Sequence, residues 1–428
     1  MCKETVGMNE YNTCTLANGL RVIHLQQQGE VVYCGYAVKA GARNEALTEE
    51  GLAHFCEHLT FKGTSRLSSM QIINSLERVG GELNAYTAKE ETVYYSSILK
   101  QYFNRAVDTL TEMVFHSTYP QEEIEKEREV ICDEIDCYKD SPAELIYDEF
   151  EEKMFKNHPL GHNVLGTKEN VRRFNTDDCL RFTRRYYVPA NTVFFVLGDI
   201  NFSALIKRLE KLLSDLPAED LQQVKSVALL DGRVGESRNG LLCPKQAFMC
   251  DDSQQTHQGH VMTGLAFCND IERWRIPLFI VNNILGGPSM NSRLNLALRE
   301  KRGLVYTVEG IMTPYSDALL WSVYFGCDKT DIRHCLNLVK SQIERFRKSR
   351  MSESSLRAAK TQLYGQIALS AQQKENFAID MVKQYLHYGT LRNIQRLKER
   401  IESVTAEDVY SLANTILNKD NLFTLIYK

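Results

Sequence analysis

The sequence predicts an α+β protein of two homologous halves, each a mostly antiparallel sheet packed with helices. Three observations lead there. Its 428 residues are long for one domain and suit two. Residues 176–198 (TDDCLRFTRRYYVPANTVFFVLG) and 405–427 (TAEDVYSLANTILNKDNLFTLIY) share one pattern at an offset near half the chain. Each has a Thr N-cap before acidic residues, then a helix, an Asn and a β-rich strand. Finally, helices follow paired strands, which argues for α+β layers over a doubly wound sheet.

In the first half, RVIHL (21–25) and VVYCGYAVKAG (31–41) read as strands, and EEGLAHFCEHLTF (49–61) has helical spacing. MQIINSLERVG (70–80) is a helix ended by Gly80-Gly81. Residues 82–88 and 92–99 are rich in β-formers and form a hairpin. The amphipathic helix 101–117 stops before Pro120. Helix 122–140 places Ile124, Val130, Ile131 and Ile135 at helical intervals, and Ser141-Pro142 opens the next helix as N-cap and first helical residue. Residues 215–240 are polar and contain glycine, as a linker would. The second half runs strand 260–267, helix 272–285, a strand pair (304–312, 318–326), helices over 329–417 and a closing strand LFTLIYK.

Composition excludes some functions. The net charge of −4 does not suit a general nucleic-acid binder. The first residues, MCKETVGMNEYNT, lack the apolar core of a secretory signal, and no apolar run approaches a membrane span. The expected compartment is the cytoplasm. The twelve cysteines form no C-x-x-C pair, and most of them read as buried thiols in a reducing compartment.

The chemistry concentrates in GLAHFCEHLTFKGT (51–64). On a helix, His54 and His58 share a face and can present two imidazoles to one ion, with Glu57 beside them. Two surface histidines on an amphipathic helix are the alternative, but these three polar groups stand among Leu52, Ala53, Phe55, Leu59 and Phe61, and a buried polar cluster needs partners. H-x-x-E-H is the inverted form of a zinc-peptidase motif. A catalytic zinc takes three protein ligands and keeps a position for water. Helix 122–140 offers Glu122, Glu123, Glu125, Glu127, Glu129, Asp133, Glu134 and Asp136. Geometry alone does not choose among them, although Glu127 and Glu134, two turns apart, border the face of Ile124, Ile131 and Ile135.

The whole chain resembles the insulinase/pitrilysin family of zinc metallopeptidases, in its single-length, mitochondrial-processing-peptidase-like subgroup. NGLRVI (18–23), AGARNE (40–45), EGLAHFCEHLTFKGT (50–64), GGELNAYTAKEETVYY (80–95), EREVICDEIDCYKDSP (127–142) and REKRGLVYTV (299–308) carry the resemblance. It implies a processing-peptidase-like duplicated fold, with a catalytic zinc-binding domain over 1–215, a linker over 216–240 and a homologous domain without a metal site over 241–428. It implies one Zn²⁺ per chain on His54, His58 and Glu134, with Glu57 as general base and Glu127 as an accessory glutamate. Arg299 and Tyr306 would bind substrate and steady the tetrahedral intermediate, and the strand at Asn84, Ala85 and Tyr86 would pair with the peptide. By analogy the chain would form a homodimer, Arg299 and Tyr306 completing the partner chain's site. The activity implied is endopeptidase action on peptides or unfolded polypeptides. The alternative is a catalytically silent scaffold or partner subunit, which usually lacks one of these residues.

Other histidines read as structural. His158 and His162 flank helix-breaking Pro159 and Gly161, and His257 and His260 sit at a strand start. Cys56 lies two residues from each motif histidine, so it faces away from the ion and packs. Helix 272–285 stands where the duplicate would carry the metal helix, and it has no histidine.

Overall fold

Residues 192–198, TVFFVLG, are buried without interruption, so the sheet that holds them is covered on both faces. The computed structural model describes residues 2–6, 9–217, 241–242, 248–251, 257–391, 394–418 and 421–428. Nearly all of the expected linker, 216–240, lies outside the described residues. By packing, the described residues divide into two units, one within 1–136, 162–232 and 370–394 and the other within 137–161, 233–369 and 395–428.

The strands of the first unit are β1 (Cys2–Val6), β2 (Asn9–Thr15), β3 (Arg21–Gln26), β4 (Val31–Val38), β5 (Glu82–Thr87), β6 (Thr92–Leu99) and β7 (Thr192–Gly198). Those of the second are β8 (Leu241–Leu242), β9 (Phe248–Asp251), β10 (Gly259–Phe267), β11 (Val305–Pro314), β12 (Leu319–Cys327) and β13 (Phe423–Tyr427). Helices of the first half are α1 (Leu52–Thr60), α2 (Ser69–Glu77), α3 (Phe103–His116), α4 (Gln121–Lys139), α5 (Pro142–Met154), α6 (Lys168–Arg173), α7 (Thr176–Tyr186) and α8 (Phe202–Leu212). Those of the second half are α9 (Ile271–Gly286), α10 (Ile332–Lys348), α11 (Glu353–Ser370), α12 (Lys374–Tyr388), α13 (Ile394–Ser403) and α14 (Ala406–Thr415).

The first sheet runs β1-β2-β3-β7-β4-β6-β5, and the second runs β9-β13-β10-β12-β11 with β8 paired to β10. Within each, the five strands taken in chain order from β3 and from β9 occupy the same sequence of positions. Each sheet also has one parallel pair, β3 with β7 and β13 with β9. This shared topology is the duplication seen in the sequence, and it leaves β5 and β11 as equivalent edge strands.

Successive strand residues face opposite ways. In the first unit Val22, Cys34, Tyr36, Tyr94, Phe194 and Val196 face the core that includes α1 and α4. Ile23, Ala37, Val93, Val193 and Phe195 face Ala378, Met381, Val382, Tyr385 and Leu386 of α12. In the second unit Leu145, Ile146, Phe150 and Met154 of α5 pack on Met262, Ala266, Phe423 and Leu425.

Two segments therefore depart from the division at 215 and 241: α5 belongs to the second unit and α12 to the first. Each is an amphipathic helix whose apolar face closes a sheet face, a fully buried large apolar side chain contributing roughly 1.5–3 kcal/mol. Three finer expectations change. Val130 is exposed, and the buried face of α4 is formed by Ile124, Glu127, Ile131, Cys132 and Ile135. The cap of α7 is Asn175, whose side chain accepts from the Asp177 and Asp178 N–H groups, with Thr176 inside the helix. Thr405 does cap α14, accepting from Asp408. Ser141 stands at the N-cap of α5 without a side-chain hydrogen bond.

Candidate active site

Helix α1 is anchored at both ends. At its start Gly51 adopts φ 95°, and a Cβ there would meet the Leu165 carbonyl oxygen at 2.7 Å, so glycine is required. The buried Glu45 carboxylate accepts from the N–H groups of Gly51 (2.9 Å) and Ala53 (2.7 Å), satisfying two donors that a helix start leaves open. Burial pushes the Glu45 carboxyl well up, against these two hydrogen bonds. Leu52, Ala53, Phe55, Cys56 and Leu59 are buried in the core. Cys56 contacts Cys179 of α7, and burial raises its thiol. The remaining face presents His54, Glu57 and His58.

The three chelating groups converge. His54 Nε2 and His58 Nε2 lie 3.9 and 3.7 Å from Glu134 Oε2, and the imidazole centroids are 4.5 Å apart. Among the described residues His54, His58 and Glu134 form the one group whose donor atoms all lie within 4.8 Å of one another. A tetrahedral zinc with bonds of about 2.0–2.2 Å spaces its ligands by roughly 3.3–3.6 Å, so the two spacings to Glu134 fit with shifts of a few tenths of an ångström. His54 is suited to ligation: burial, then neighbouring His58, pushes its pKa down to about 3, keeping the ring neutral. Its Nδ1 is buried without a hydrogen-bond partner.

Glu127, one of the two acidic residues bordering the inner face of α4, is buried and takes a different place. Its Oε1 is 2.9 Å from His58 Nδ1, and its Oε2 is 2.6 Å from Lys62 Nζ. Burial alone would raise the Glu127 carboxyl, but His58 and Lys62 outweigh it and hold it below its ordinary value. For His58, burial is likewise outweighed, here by Glu127, Glu57 and Glu134, which raise the imidazole. Such carboxylate–histidine contacts fix the tautomer of a ligating ring.

Glu57 is 8% exposed, and burial raises its carboxyl despite a hydrogen bond from Thr87 and the proximity of His58. Thr87 Oγ1 donates to Glu57 Oε2 at 2.7 Å. Thr87 closes β5, where Leu83 and Ala85 point to the α1 side while Tyr86 packs toward α12. Among the described residues β5 has β6 as its single neighbour, so Asn84, Ala85 and Tyr86 lie on an open edge.

Arg299 and Tyr306 belong to the second unit. Arg299 lies in a π-helical turn, Asn295–Glu300, and its guanidinium carbon is 5.9 Å from the Tyr306 ring centroid. π-Helical turns are frequent at functional sites. Tyr306 sits on the edge strand β11, inside a register shift between Val305 and Val308, and is 82% exposed. Such bulges re-aim side chains. Two of the other histidines have local partners: His162 Nδ1 meets the Ala42 carbonyl at 3.1 Å and His260 Nδ1 the Tyr324 hydroxyl at 2.9 Å.

Sequence reasoning passed over Lys62 and Thr87. Lys62 follows His58 by one helical turn, and Thr87 follows Leu83 and Ala85 in strand alternation. Either spacing pointed toward the site.

Known proteins resemble this chain over most of its length. The family described as Insulinase (Peptidase family M16) matches residues 21–168, and the Peptidase M16 inactive domain matches residues 173–363. The chain is 30% identical over 415 residues to the uncharacterized zinc protease YmxG of Bacillus subtilis, covering 96% of this chain and 97% of that protein. It is 31% identical over 410 residues to an uncharacterized zinc protease of Mycobacterium leprae, covering 95% and 89%. Among solved structures, a protease from Helicobacter pylori superposes with a TM-score of 0.86 at 20% identity, covering 98% and 99%. A peptidase M16 inactive domain from Pseudomonas fluorescens gives 0.83 at 18%, covering 97% of each chain.

Proposed function

We propose, from the premise that this chain belongs to the insulinase family of peptidases, M16, that it is a zinc-dependent endopeptidase for extended peptides or unfolded polypeptides. The observation that carries the reading is the convergence of His54 Nε2, His58 Nε2 and Glu134 Oε2, with Glu57 beside the two histidines on α1. Zinc, when bound, polarises the scissile carbonyl and lowers the pKa of a coordinated water to about 7.

The residues divide the remaining work. Glu57 takes the proton of the attacking water and returns it to the leaving amine, a task suited to a carboxyl whose pKa burial has raised. Glu127 keeps the Nδ1 proton of His58 in place, leaving Nε2 free to ligate. The open edge at Asn84, Ala85 and Tyr86 offers main-chain groups to an extended chain, which adds as a further strand. Arg299 holds the substrate backbone and Tyr306 donates to the developing oxyanion. In this reading a second copy of the chain supplies them, the enzyme being a homodimer. A silent partner subunit would be expected to lack a ligand, the base or the Arg/Tyr pair, and all are present. No described helix is long and apolar enough to cross a membrane.

The test is digestion of a peptide library by the zinc-loaded protein, read by mass spectrometry. Cleavage is expected to vanish with a chelator and in Glu57→Gln, which should still bind zinc. A zinc-loaded wild type that leaves the library intact would overturn the proposal, and near-normal cleavage by Glu57→Gln would overturn the base assignment.

A further inference from the structure

The open edge strand and Glu57 are joined by a single side chain. Thr87 pairs with Thr92 at the closed end of the β5–β6 hairpin. That end is anchored: Ala88 N–H donates to the Glu91 carbonyl at 2.8 Å, and Ala42 and Arg43 donate to the Ala88 and Lys89 carbonyls at 3.1 and 2.8 Å. Each threonine hydroxyl has one proton to give. Thr92 Oγ1 gives its proton to the Ala40 carbonyl at 2.9 Å. The Thr87 hydroxyl, 3.5 Å from that of Thr92, gives its own to Glu57 Oε2 at 2.7 Å. Glu57 Oε2 is thus tied to the end of the strand, which restricts rotation of the carboxyl group.

We infer that Thr87 is a positioning residue for the general base, setting the carboxylate of Glu57 from the end of the same strand that receives substrate. The inference rests on the peptidase reading of Glu57. Its consequence is that the strand that receives substrate and the group that orients the base belong to one anchored hairpin.

The test compares Thr87→Val, which keeps the shape and removes the hydroxyl, with Thr87→Ser, which keeps the hydroxyl. A misplacement of about 1 Å costs about 100-fold in rate, so Thr87→Val is expected to lose about 10–100-fold in kcat. KM should stay within about twofold and Thr87→Ser within about threefold of wild-type kcat, the split expected when orientation and not binding is lost. Zinc affinity, measured by chelator competition, should match wild type in both variants. Near-wild-type kcat in Thr87→Val would overturn the inference. So would equal impairment of both variants, which would assign the effect to packing, or a zinc affinity that falls in step with activity. A crystal structure of Thr87→Val needs no turnover: the Glu57 carboxyl is expected to rotate or split into two conformers, and an unmoved carboxyl refutes the positioning role. Should wild type itself prove inactive, the peptidase reading fails while this structural readout still decides the Thr87 contact.

Discussion

Replacing Glu127 by glutamine tests the metal centre without touching a proposed ligand. With the carboxylate present, Oε1 accepts from His58 Nδ1 at 2.9 Å and Oε2 takes Lys62 Nζ at 2.6 Å. The imidazole proton is therefore held on Nδ1, and the Nε2 lone pair faces Glu134, 3.7 Å away. Glutamine has one acceptor and one donor in place of two acceptors. Lys62 can only donate, so it draws the amide oxygen to itself and turns the NH₂ toward His58. That favours a bare Nδ1 and puts the proton on Nε2, where a metal would bind. Loss of such an outer partner costs about 10–100-fold in metal affinity, or about 1.4–2.8 kcal/mol, and the competing lysine places Glu127→Gln toward the upper end. Adding Lys62→Met frees the amide to turn its oxygen back to His58 and should recover up to about tenfold of the loss. The assay is zinc competition with a chromogenic chelator at neutral pH or above. Glu127 also helps to raise the His58 pKa, so in acid its removal would relieve proton competition and blur the result. Affinity within about twofold of wild type for Glu127→Gln, or a double variant no better than the single, would refute the tautomer argument.

Two further predictions follow from other parts of the structure. Glu91, buried at the hairpin turn, accepts from Lys383 and His387 of α12, each at 2.8 Å; burial raises its carboxyl but these partners outweigh it and hold it below its usual value. Glu91→Gln should cost about 1.5–3 kcal/mol near neutral pH, toward the lower end because the Lys383 side chain is 40% exposed. A depressed carboxyl stabilises above its unfolded pKa of about 4.3 and loses that contribution as pH falls through the folded value, so the penalty should shrink in urea unfolding at about pH 3; a constant penalty would mean that the charge is not what holds α12. If Arg299 and Tyr306 act on the partner chain's site, mixing the separately inactive Glu57→Gln and Tyr306→Phe chains should restore about a quarter of wild-type cleavage, from one working site in half of the dimers; a mixture as inactive as its components would place all the residues in one chain.

Much of the site was readable because its chemistry is compressed onto helices. Spacing of four residues brings His54 and His58 together, and spacing of seven places Glu127 and Glu134 at the border of one apolar face. What spacing did not distinguish was their different tasks. Glu134 faces both Nε2 atoms, whereas Glu127 lies behind His58, a difference set by how α4 crosses α1 and not by either sequence. Lys62 and Thr87 were missed because a lysine after a helix and a threonine in a strand are ordinary, and only their partners make them part of the site. The membership of α5 and α12 was hidden for a related reason. An apolar helix face reports that it is covered, but not which sheet covers it. The unevenness of Tyr306 in its strand, by contrast, arises from a bulge that no alternation pattern announces.

The two repeats meet the same structural need with different chemistry. In each, the helix between the second and third repeated strands must be tied to the edge strand. In the second unit Asn282 of α9 does this: its Nδ2 donates to the Gly310 carbonyl of β11 at 3.0 Å, and its Oδ1 accepts from Trp321 Nε1 at 2.9 Å. A Cβ on Gly286 would lie 2.4 Å from Gly310 N, so helix and strand touch through backbone. Both functions of the Asn282 amide are consumed by the fold, and that link is purely structural. In the first unit the corresponding tie is Glu57 to Thr87. Among the described residues, the Thr87 hydroxyl provides the hydrogen bond to Glu57 Oε2, and Glu57 Oε1 accepts none. An amide is neither acid nor base near neutral pH, whereas a carboxylate with one oxygen uncommitted can take up a proton. If Glu57 is the general base, the difference between the two repeats lies as much in this spare oxygen as in the two histidines.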